Sequence, residues 1–103
     1  MEVKTELYWY EFIKENPEFT GSVIDSDGDM FWYLNGELHR TDGPAIEYAN
    51  GFKYWFLNGE KHREDGPAIE YANGYKAWYL NGESTTEQHV MRLHKLKGFI
   101  NGN

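Results

Sequence analysis

Two copies of one short motif carry side chains that could bind an anion. The motif, His-Arg-x-Asp, occupies residues 39–42 and 62–65. A guanidinium binds phosphate and carboxylate groups through paired hydrogen bonds, and an imidazole can add a further donor. The candidate ligand-binding residues are His39, Arg40, His62 and Arg63. The alternative is internal pairing, in which Arg40 contacts Asp42 or Asp65 and serves only the repeat.

Acidic residues are concentrated in the first third of the chain. Residues 1–31 hold eight acidic and two basic side chains, whereas residues 84–103 hold one acidic and three basic ones. Ordinary solvation of the two ends is one interpretation. The other is an acidic face for a basic partner, with neighbouring aromatic residues that supply short-range contact energy. The candidate partner-binding residues are Glu11, Glu15, Glu18, Asp25, Asp27, Asp29, Trp32 and Tyr33.

The sequence contains no recognisable catalytic or metal-binding motif. It has no Ser-His-Asp spacing, no phosphate-binding glycine loop and no His-Glu-x-x-His sequence. Cysteine is absent, so disulfides and thiolate zinc sites are excluded, and two histidines without a fixed third ligand make a poor zinc site. We therefore expect a protein without enzymatic activity, cofactor or metal.

The candidate residues belong to a repeat of 23 residues. Residues 32–54 and 55–77 are identical at 18 of 23 positions, a third copy begins at 78–83, and a weaker copy precedes the first. Each unit combines aromatic-rich strand segments with Asn-Gly pairs, which favour tight hairpin turns. The sequence therefore predicts a mainly β fold, a single-layer antiparallel meander that grows by one hairpin per unit.

Finer predictions concern the turns and strands of each unit. We expect type I′ turns, which require positive φ at both central residues, at Asn50-Gly51 and Asn73-Gly74. Asn35-Gly36, Asn58-Gly59 and Asn81-Gly82 mark the other bends. Residues 52–57 should form one continuous strand, because large apolar side chains alternate there.

The two ends of the chain should cap the repeat. Residues 6–15 are compatible with a helix, which we favour, although residues 3–9 also alternate as a strand would. Ser84 and Glu87 form a capping box before a helix over 88–97, and Gly98 is suited to end it. The whole chain is expected to be one domain, with an N-terminal cap (1–20), hairpin repeats (21–83) and a helical cap (84–103).

The spacing and residues of the repeat resemble those of the MORN family (membrane occupation and recognition nexus). Trp55, Asn58, Gly59, His62 and Gly66 fit that skeleton, and the resemblance covers residues 21–83. The string His-Arg-x-Asp-Gly-Pro-Ala departs from typical MORN units and is closer to MORN-like repeats in small phage and bacterial proteins. The resemblance implies β-hairpin repeats that act as scaffolds, as partner-binding surfaces or, in some members, as lipid contacts.

These observations favour a non-enzymatic protein-binding module. One form is a phage or mobile-element counter-defence protein, such as an anti-CRISPR protein, that blocks a host protein acting on nucleic acid. The alternatives are a sponge for a small anionic ligand such as a nucleotide, and a scaffold or lipid-contacting protein. The net charge of −7 argues against direct binding to nucleic acid or to an anionic membrane.

The sequence also bears on compartment and assembly. No apolar run is long enough to span a membrane, and the first residues lack the pattern of a signal peptide. We therefore expect the protein in the cytoplasm, that of the host if it is viral. Self-association through sheet edges or faces stays open.

Overall fold

The computed structural model describes residues 2–4 and 9–100, and the side chains of residues 11–98. The described chain is mainly antiparallel β, an open sheet with a short N-terminal helix and a longer C-terminal one, which confirms the predicted fold class. The elements in chain order are β1 (Glu2–Lys4), α1 (Trp9–Glu15), β2 (Gly21–Ile24), β3 (Met30–Leu34), β4 (Glu37–Leu38), β5 (Ile46–Glu47), β6 (Lys53–Tyr54), β7 (Phe56–Leu57), β8 (Glu60–Lys61), β9 (Ile69–Glu70), β10 (Lys76–Leu80), β11 (Glu83–Thr85) and α2 (Glu87–Ile100).

The main sheet follows the order of the repeats. Its strands run β1-β2-β3-β5-β6-β9-β10-β11, with β4 paired to β3, and β7 and β8 form a separate short hairpin. The β1–β2 pair is parallel, and the other pairs of described strands are antiparallel. A full unit thus adds two strands to the sheet and carries a short arm that ends in an Asn-Gly turn.

The strand register separates an apolar face from a charged face. The apolar face carries the cross-strand row Val23, Phe31, Ile46, Tyr54, Ile69 and Ala77. The charged face carries the neighbouring row Met30, Glu47, Lys53, Glu70 and Lys76. Opposite charges face each other across three successive strand pairs, which stabilises this register.

The core lies on the apolar face at the N-terminal end of the sheet. Its buried residues are Phe19, Val23, Phe31, Tyr33 and Ile46. Phe12 and Ile13 of α1 pack against them. Because Tyr33 is only 8% exposed, burial is the main reason that its pKa rises to about 12.

The second helix packs at the other end of the sheet. Val90 of α2 is buried and, with Leu80 of β10, lines the space between helix and strand. Alternation along β10 places Leu80 on the same face as Lys76, the charged face. The two helices therefore cover opposite faces, one at each end of the array. Among the described residues, neither helix combines the length and hydrophobicity that a membrane crossing requires.

The type I′ turns lie at the positions that were predicted to be ordinary bends. Positive φ occurs at both residues of Asn35-Gly36, Asn58-Gly59 and Asn81-Gly82, with asparagine values of 50°, 51° and 52°. At Asn50-Gly51 only Gly51 has positive φ. The backbone N–H of Tyr48 donates to the carbonyl of Phe52, which closes a loop of three residues, and such a loop needs positive φ only at its last position. The prediction for Asn50-Gly51, and that for Asn73-Gly74, was wrong.

The strand predicted over 52–57 is divided at Trp55. The N–H of Trp55 donates to the carbonyl of Ala68 at 2.8 Å, and its carbonyl accepts the N–H of His62 at 3.1 Å. Trp55 thus marks the point where the chain leaves the main sheet for the β7–β8 arm. Alternation of side chains could not reveal this change of partner.

Both terminal caps differ in detail from the predictions. The N-terminal segment contains the strand β1 and the helix α1, while residues 5–8 lie outside the described part. At the C-terminal end, Ser84 belongs to β11, and Thr86 caps α2 by accepting the N–H of His89 at 3.1 Å through Oγ1. The helix then continues through Gly98 to Ile100, so Gly98 does not end it.

Candidate functional site

Three loops stack along one edge of the sheet. They are residues 25–29, 48–52 and 71–75, and we call this side the loop edge. The Oδ1 of Asp29 accepts the N–H of Ala49 at 2.8 Å, which ties the first loop to the second. A side chain added at Gly51 would contact Ala72, so the second loop lies directly against the third. Side chains of successive units are thereby held in a fixed order.

The first loop of this edge concentrates negative charge. The side chains of Asp25, Asp27 and Asp29 each have a carboxylate oxygen within 4.8 Å of the other two. The Oδ1 of Asp25 accepts the N–H groups of Asp27 and Asp29 at 2.9 and 3.0 Å, so the loop is braced from within. Among residues 11–98, whose side chains are described, these three carboxylates form no salt bridge.

Four aromatic rings continue from this loop, one for each successive strand. We call Tyr48, Phe52, Tyr71 and Tyr75 the aromatic row. Neighbouring ring centroids are 6.4, 4.4 and 5.1 Å apart along the row. Tyr75 is 55% exposed, and the other three rings are half-buried. The row is a continuous aromatic strip at the surface.

Tyr54 supports the row from the apolar face. Its ring lies 5.8 Å from that of Tyr48 and 6.3 Å from that of Tyr71. Its hydroxyl donates to the Tyr71 hydroxyl at 3.5 Å, and this hydrogen bond is the largest cause that raises the pKa of Tyr54 to about 12.

The acidic loop and the aromatic row form one surface. The pKa of the Tyr48 hydroxyl is raised, first by burial and then by the carboxylates of Asp29 and Asp25, so these groups lie within electrostatic range of each other. We call the combination of Asp25, Asp27, Asp29 and the aromatic row the loop-edge surface. It is an acidic and aromatic surface of the kind predicted, but its aromatic residues are different.

The predicted partner-binding residues do not all lie together. Glu11, Glu15 and Glu18 are exposed and, among described residues, form no salt bridge. The chain beside Glu18 packs at the opposite edge, where the Pro17 carbonyl faces Gly36. The glutamates and the three aspartates are therefore separate acidic groups, located toward opposite ends of β2.

Trp32 and Tyr33 were predicted to bind the partner, and the structure places the two side chains on opposite faces of β3. The Arg40 guanidinium carbon lies 4.0 Å from the Trp32 ring centroid, so an internal cation already covers one side of the ring. Alternation along β3 puts Tyr33 on the other face, where it is buried in the core. Tyr33 is therefore inaccessible to a partner.

Both arginines of the His-Arg-x-Asp motif are held within their own units. Arg40 contacts Asp42 at 2.9 Å and Glu47 at 3.1 Å, and donates to the Pro44 carbonyl at 3.2 Å. Arg63 makes the matching contacts to Asp65, Glu70 and the Pro67 carbonyl, and lies over Trp55 at 3.9 Å. The internal pairing of Arg40 with Asp42 is thus the arrangement present, and it leaves little of either guanidinium for an anionic ligand.

The two histidines connect one unit to the next. The Nδ1 of His39 accepts the N–H of Asn58 at 2.9 Å, and His62 accepts the N–H of Asn81 at the same distance. The other nitrogen of His62 lies 2.9 Å from a carboxylate oxygen of Glu64. All four residues proposed to bind a small anion therefore have structural contacts inside the array.

A groove of about 860 Å³ lies between these motifs and α2. Its lining includes Trp55, His94 and Lys97. Lys97 is paired with Glu64, as Arg63 is with Asp65, so the positive charges of the groove are matched by neighbouring carboxylates. A smaller apolar cavity of about 310 Å³, next to it, is lined by Leu80, Val90 and other residues of α2. Neither cavity offers the excess positive charge that a phosphate-rich ligand requires.

The aromatic row had a signal in the sequence that pattern reasoning missed. Tyr48 and Tyr71 are 23 residues apart, as are Phe52 and Tyr75. Tyr48 and Phe52 flank one Ala-Asn-Gly segment, and Tyr71 and Tyr75 flank the next; both segments were interpreted only as turns. Comparison with known proteins adds no candidate site, because no family model, no curated protein and no solved structure matches the chain.

Proposed function

We propose that this chain is a non-enzymatic protein-binding module that engages a basic protein through the loop-edge surface. The observation that carries the proposal is the direct adjacency of the three aspartates and the aromatic row. Carboxylates attract a basic partner over a distance, whereas half-exposed tyrosine and phenylalanine rings supply short-range contact energy. Residues of both kinds occupy one edge of the sheet.

The contrast with the repeats supports a role for the unpaired carboxylates. Asp42, Glu47, Asp65 and Glu70 are each paired with an arginine of their own unit. Among residues 11–98, the aspartates of the first loop form no ion pair, although their like charges repel one another. This repulsion destabilises the isolated protein, and the positive charge of a bound basic partner would offset it.

Proteins that process nucleic acid are partners of the required chemistry. Their binding grooves are basic because they must neutralise phosphates. A small acidic protein that occupies such a groove would block access to it, and this inhibitory form of binding is the one we propose. The association should be strongly salt-dependent, since the Debye length falls to about 8 Å at physiological ionic strength.

Affinity capture from an extract of the cells in which the protein occurs tests the proposal. The test variant carries Asp25→Asn, Asp27→Asn and Asp29→Asn, in which each side chain keeps an oxygen that can accept the loop hydrogen bonds. The control carries Glu11→Gln, Glu15→Gln and Glu18→Gln, which removes the same charge from the other acidic group. We expect a basic protein to be retained by the wild type and the control, released by salt, and lost by the aspartate variant. Equal retention by all three proteins would contradict the proposal.

A further inference from the structure

We propose that the aromatic row binds a proline-rich segment of the partner in the polyproline II conformation, with a basic residue beside Asp25, Asp27 and Asp29. This inference rests on the proposed function and specifies which segment of the partner is recognised. Its evidence is the direction of the row, the spacing of its rings and the distribution of charge and hydroxyl groups along it.

The direction of the row disfavours a bound β-strand. Its four residues directly flank the ends of four successive strands, β5, β6, β9 and β10, so a peptide that follows the rings crosses the direction of the strands. Such a peptide cannot join the backbone ladder there, because β5, β6, β9 and β10 are each paired on both sides. A polyproline II segment has no internal backbone hydrogen bonds and keeps its peptide groups solvated, so it can lie on the rings without a ladder partner.

The spacing of equivalent positions in the row matches the polyproline II repeat. Tyr48 and Tyr71 occupy the same position in successive units, and so do Phe52 and Tyr75. Equivalent positions are two strands apart, which corresponds to about 9.5 Å across a sheet. A polyproline II helix advances about 9.3 Å in one turn of three residues. Side chains at positions i and i+3 of the segment would therefore meet equivalent rings.

Polar groups along the row would fix the position and direction of the segment. The Tyr71 hydroxyl lies 3.5 Å from that of Tyr54 and would donate to a carbonyl of the peptide. Exposed Tyr75 adds a second hydroxyl at the far end. At the near end, the three carboxylates favour an arginine or lysine, so the basic residue should lie at one end of the proline-rich segment only.

Fluorescence anisotropy with a defined peptide tests this inference. The probe is a labelled peptide of about ten residues with proline at every third position, alanine between and arginine at one end. A second peptide has alanine in place of every proline, and a third has glutamate in place of arginine. We expect the first to bind the wild-type protein at least about tenfold more tightly than either of the others.

Two variants locate the site. Tyr75→Ala truncates an exposed ring of the row and should weaken binding about tenfold, whereas Leu96→Ala truncates an exposed apolar side chain on α2 and should leave binding unchanged. Equal binding of the alanine peptide, or equal effects of the two variants, would overturn the inference. If the proline-rich probe does not bind but the aspartate variant still loses its captured protein, the polyproline inference is wrong and the proposed function stands. If that capture survives the aspartate variant, the proposed function itself fails.

Discussion

The imidazole of His62 accepts a hydrogen bond of 2.9 Å through Nδ1 from the backbone N–H of Asn81. Asn81 is the first central residue of the type I′ turn in the following unit, and His39 makes the same contact to Asn58 one unit earlier. At its other nitrogen, His62 meets Glu64, so the proton of the neutral ring is placed on Nε2. The histidine of each full unit thus positions the turn of the next.

Loss of this acceptor should destabilise the array. His62→Ala leaves the Asn81 N–H without its partner and opens a space at a buried side chain, and we expect the free energy of unfolding to fall by about 1–3 kcal/mol. His89→Ala, at an exposed position of α2, is the matched control. Urea unfolding measures both variants. Equal stability of the two would show that the contact does not join the units energetically.

Close packing at Gly66 should make this position intolerant of a side chain. A Cβ at Gly66 would lie 2.6 Å from the Arg63 guanidinium carbon, which is held by Trp55, Asp65 and Glu70. Gly66→Ala must therefore displace Arg63, at a cost of about 1–3 kcal/mol.

Gly43 offers an internal comparison for this prediction. There the added Cβ would lie 3.1 Å from the Arg40 guanidinium carbon, so Gly43→Ala should cost less than Gly66→Ala. Thermal unfolding of the two variants measures the difference. The reverse order would contradict the description of the arginine contacts.

Tyr33 should make the fold sensitive to alkaline pH. Burial raises its pKa from the ordinary 10.0 to about 12, so the folded protein favours the neutral hydroxyl. The resulting stabilisation is fully present below pH 10 and is lost as pH rises through 12. The loss amounts to roughly 2–3 kcal/mol. Tyr33→Phe should therefore lose less stability than the wild type between pH 9 and pH 12, whereas Tyr75→Phe, at an exposed ring, should follow the wild type. Urea unfolding across this range provides the test, and parallel curves for all three proteins would refute it.

Glu64 should contribute to the acid sensitivity of the contact between α2 and the repeats. Hydrogen bonds with Lys97 and, to a smaller extent, His62 lower the pKa of Glu64 below the ordinary 4.5. The ionised carboxylate therefore stabilises the fold above pH 4.5, and this stabilisation is lost as pH falls through the lowered pKa. Because Glu64 and Lys97 are both substantially exposed, the effect at neutral pH should be at most about 1 kcal/mol.

The variant Glu64→Gln checks this prediction. It should unfold at a lower temperature than the wild type at pH 7, and the difference should shrink as the pH falls below 4. Glu83→Gln, an exposed change in β11, is the control. A difference between Glu64→Gln and the wild type that stays constant with pH would argue against the ion pair.

Sequence reasoning identified the architecture because the repeat encodes it locally. The Asn-Gly pairs and alternating aromatic residues of two nearly identical units are sufficient to predict an antiparallel array with terminal caps. The exact turn types were not predictable from the dipeptide alone, since Asn50-Gly51 and Asn58-Gly59 contain the same residues. Loop length distinguishes them, and it depends on where Tyr48 and Phe52 pair across strands.

The candidate site was only partly predictable for a related reason. Charge density along the chain identified both acidic groups but could not show that β2 separates them. The assignment of Trp32 and Tyr33 assumed that aromatic residues near the acidic run share its surface. In the structure, Arg40 covers Trp32 and the core encloses Tyr33. Tyr71 and Tyr75 join the row that begins at Tyr48, beside Asp25 and Asp29, only through the stacking of loops from different units.

The association rate of the captured partner with two equally charged variants tests the central claim most directly. One variant carries Asp25→Asn, Asp27→Asn and Asp29→Asn, and the other carries Glu11→Gln, Glu15→Gln and Glu18→Gln. If the partner binds at the loop-edge surface, the aspartate variant should associate about tenfold more slowly at low salt, and the glutamate variant should stay close to the wild type. Slower association of the glutamate variant alone would place the binding surface elsewhere and contradict the account.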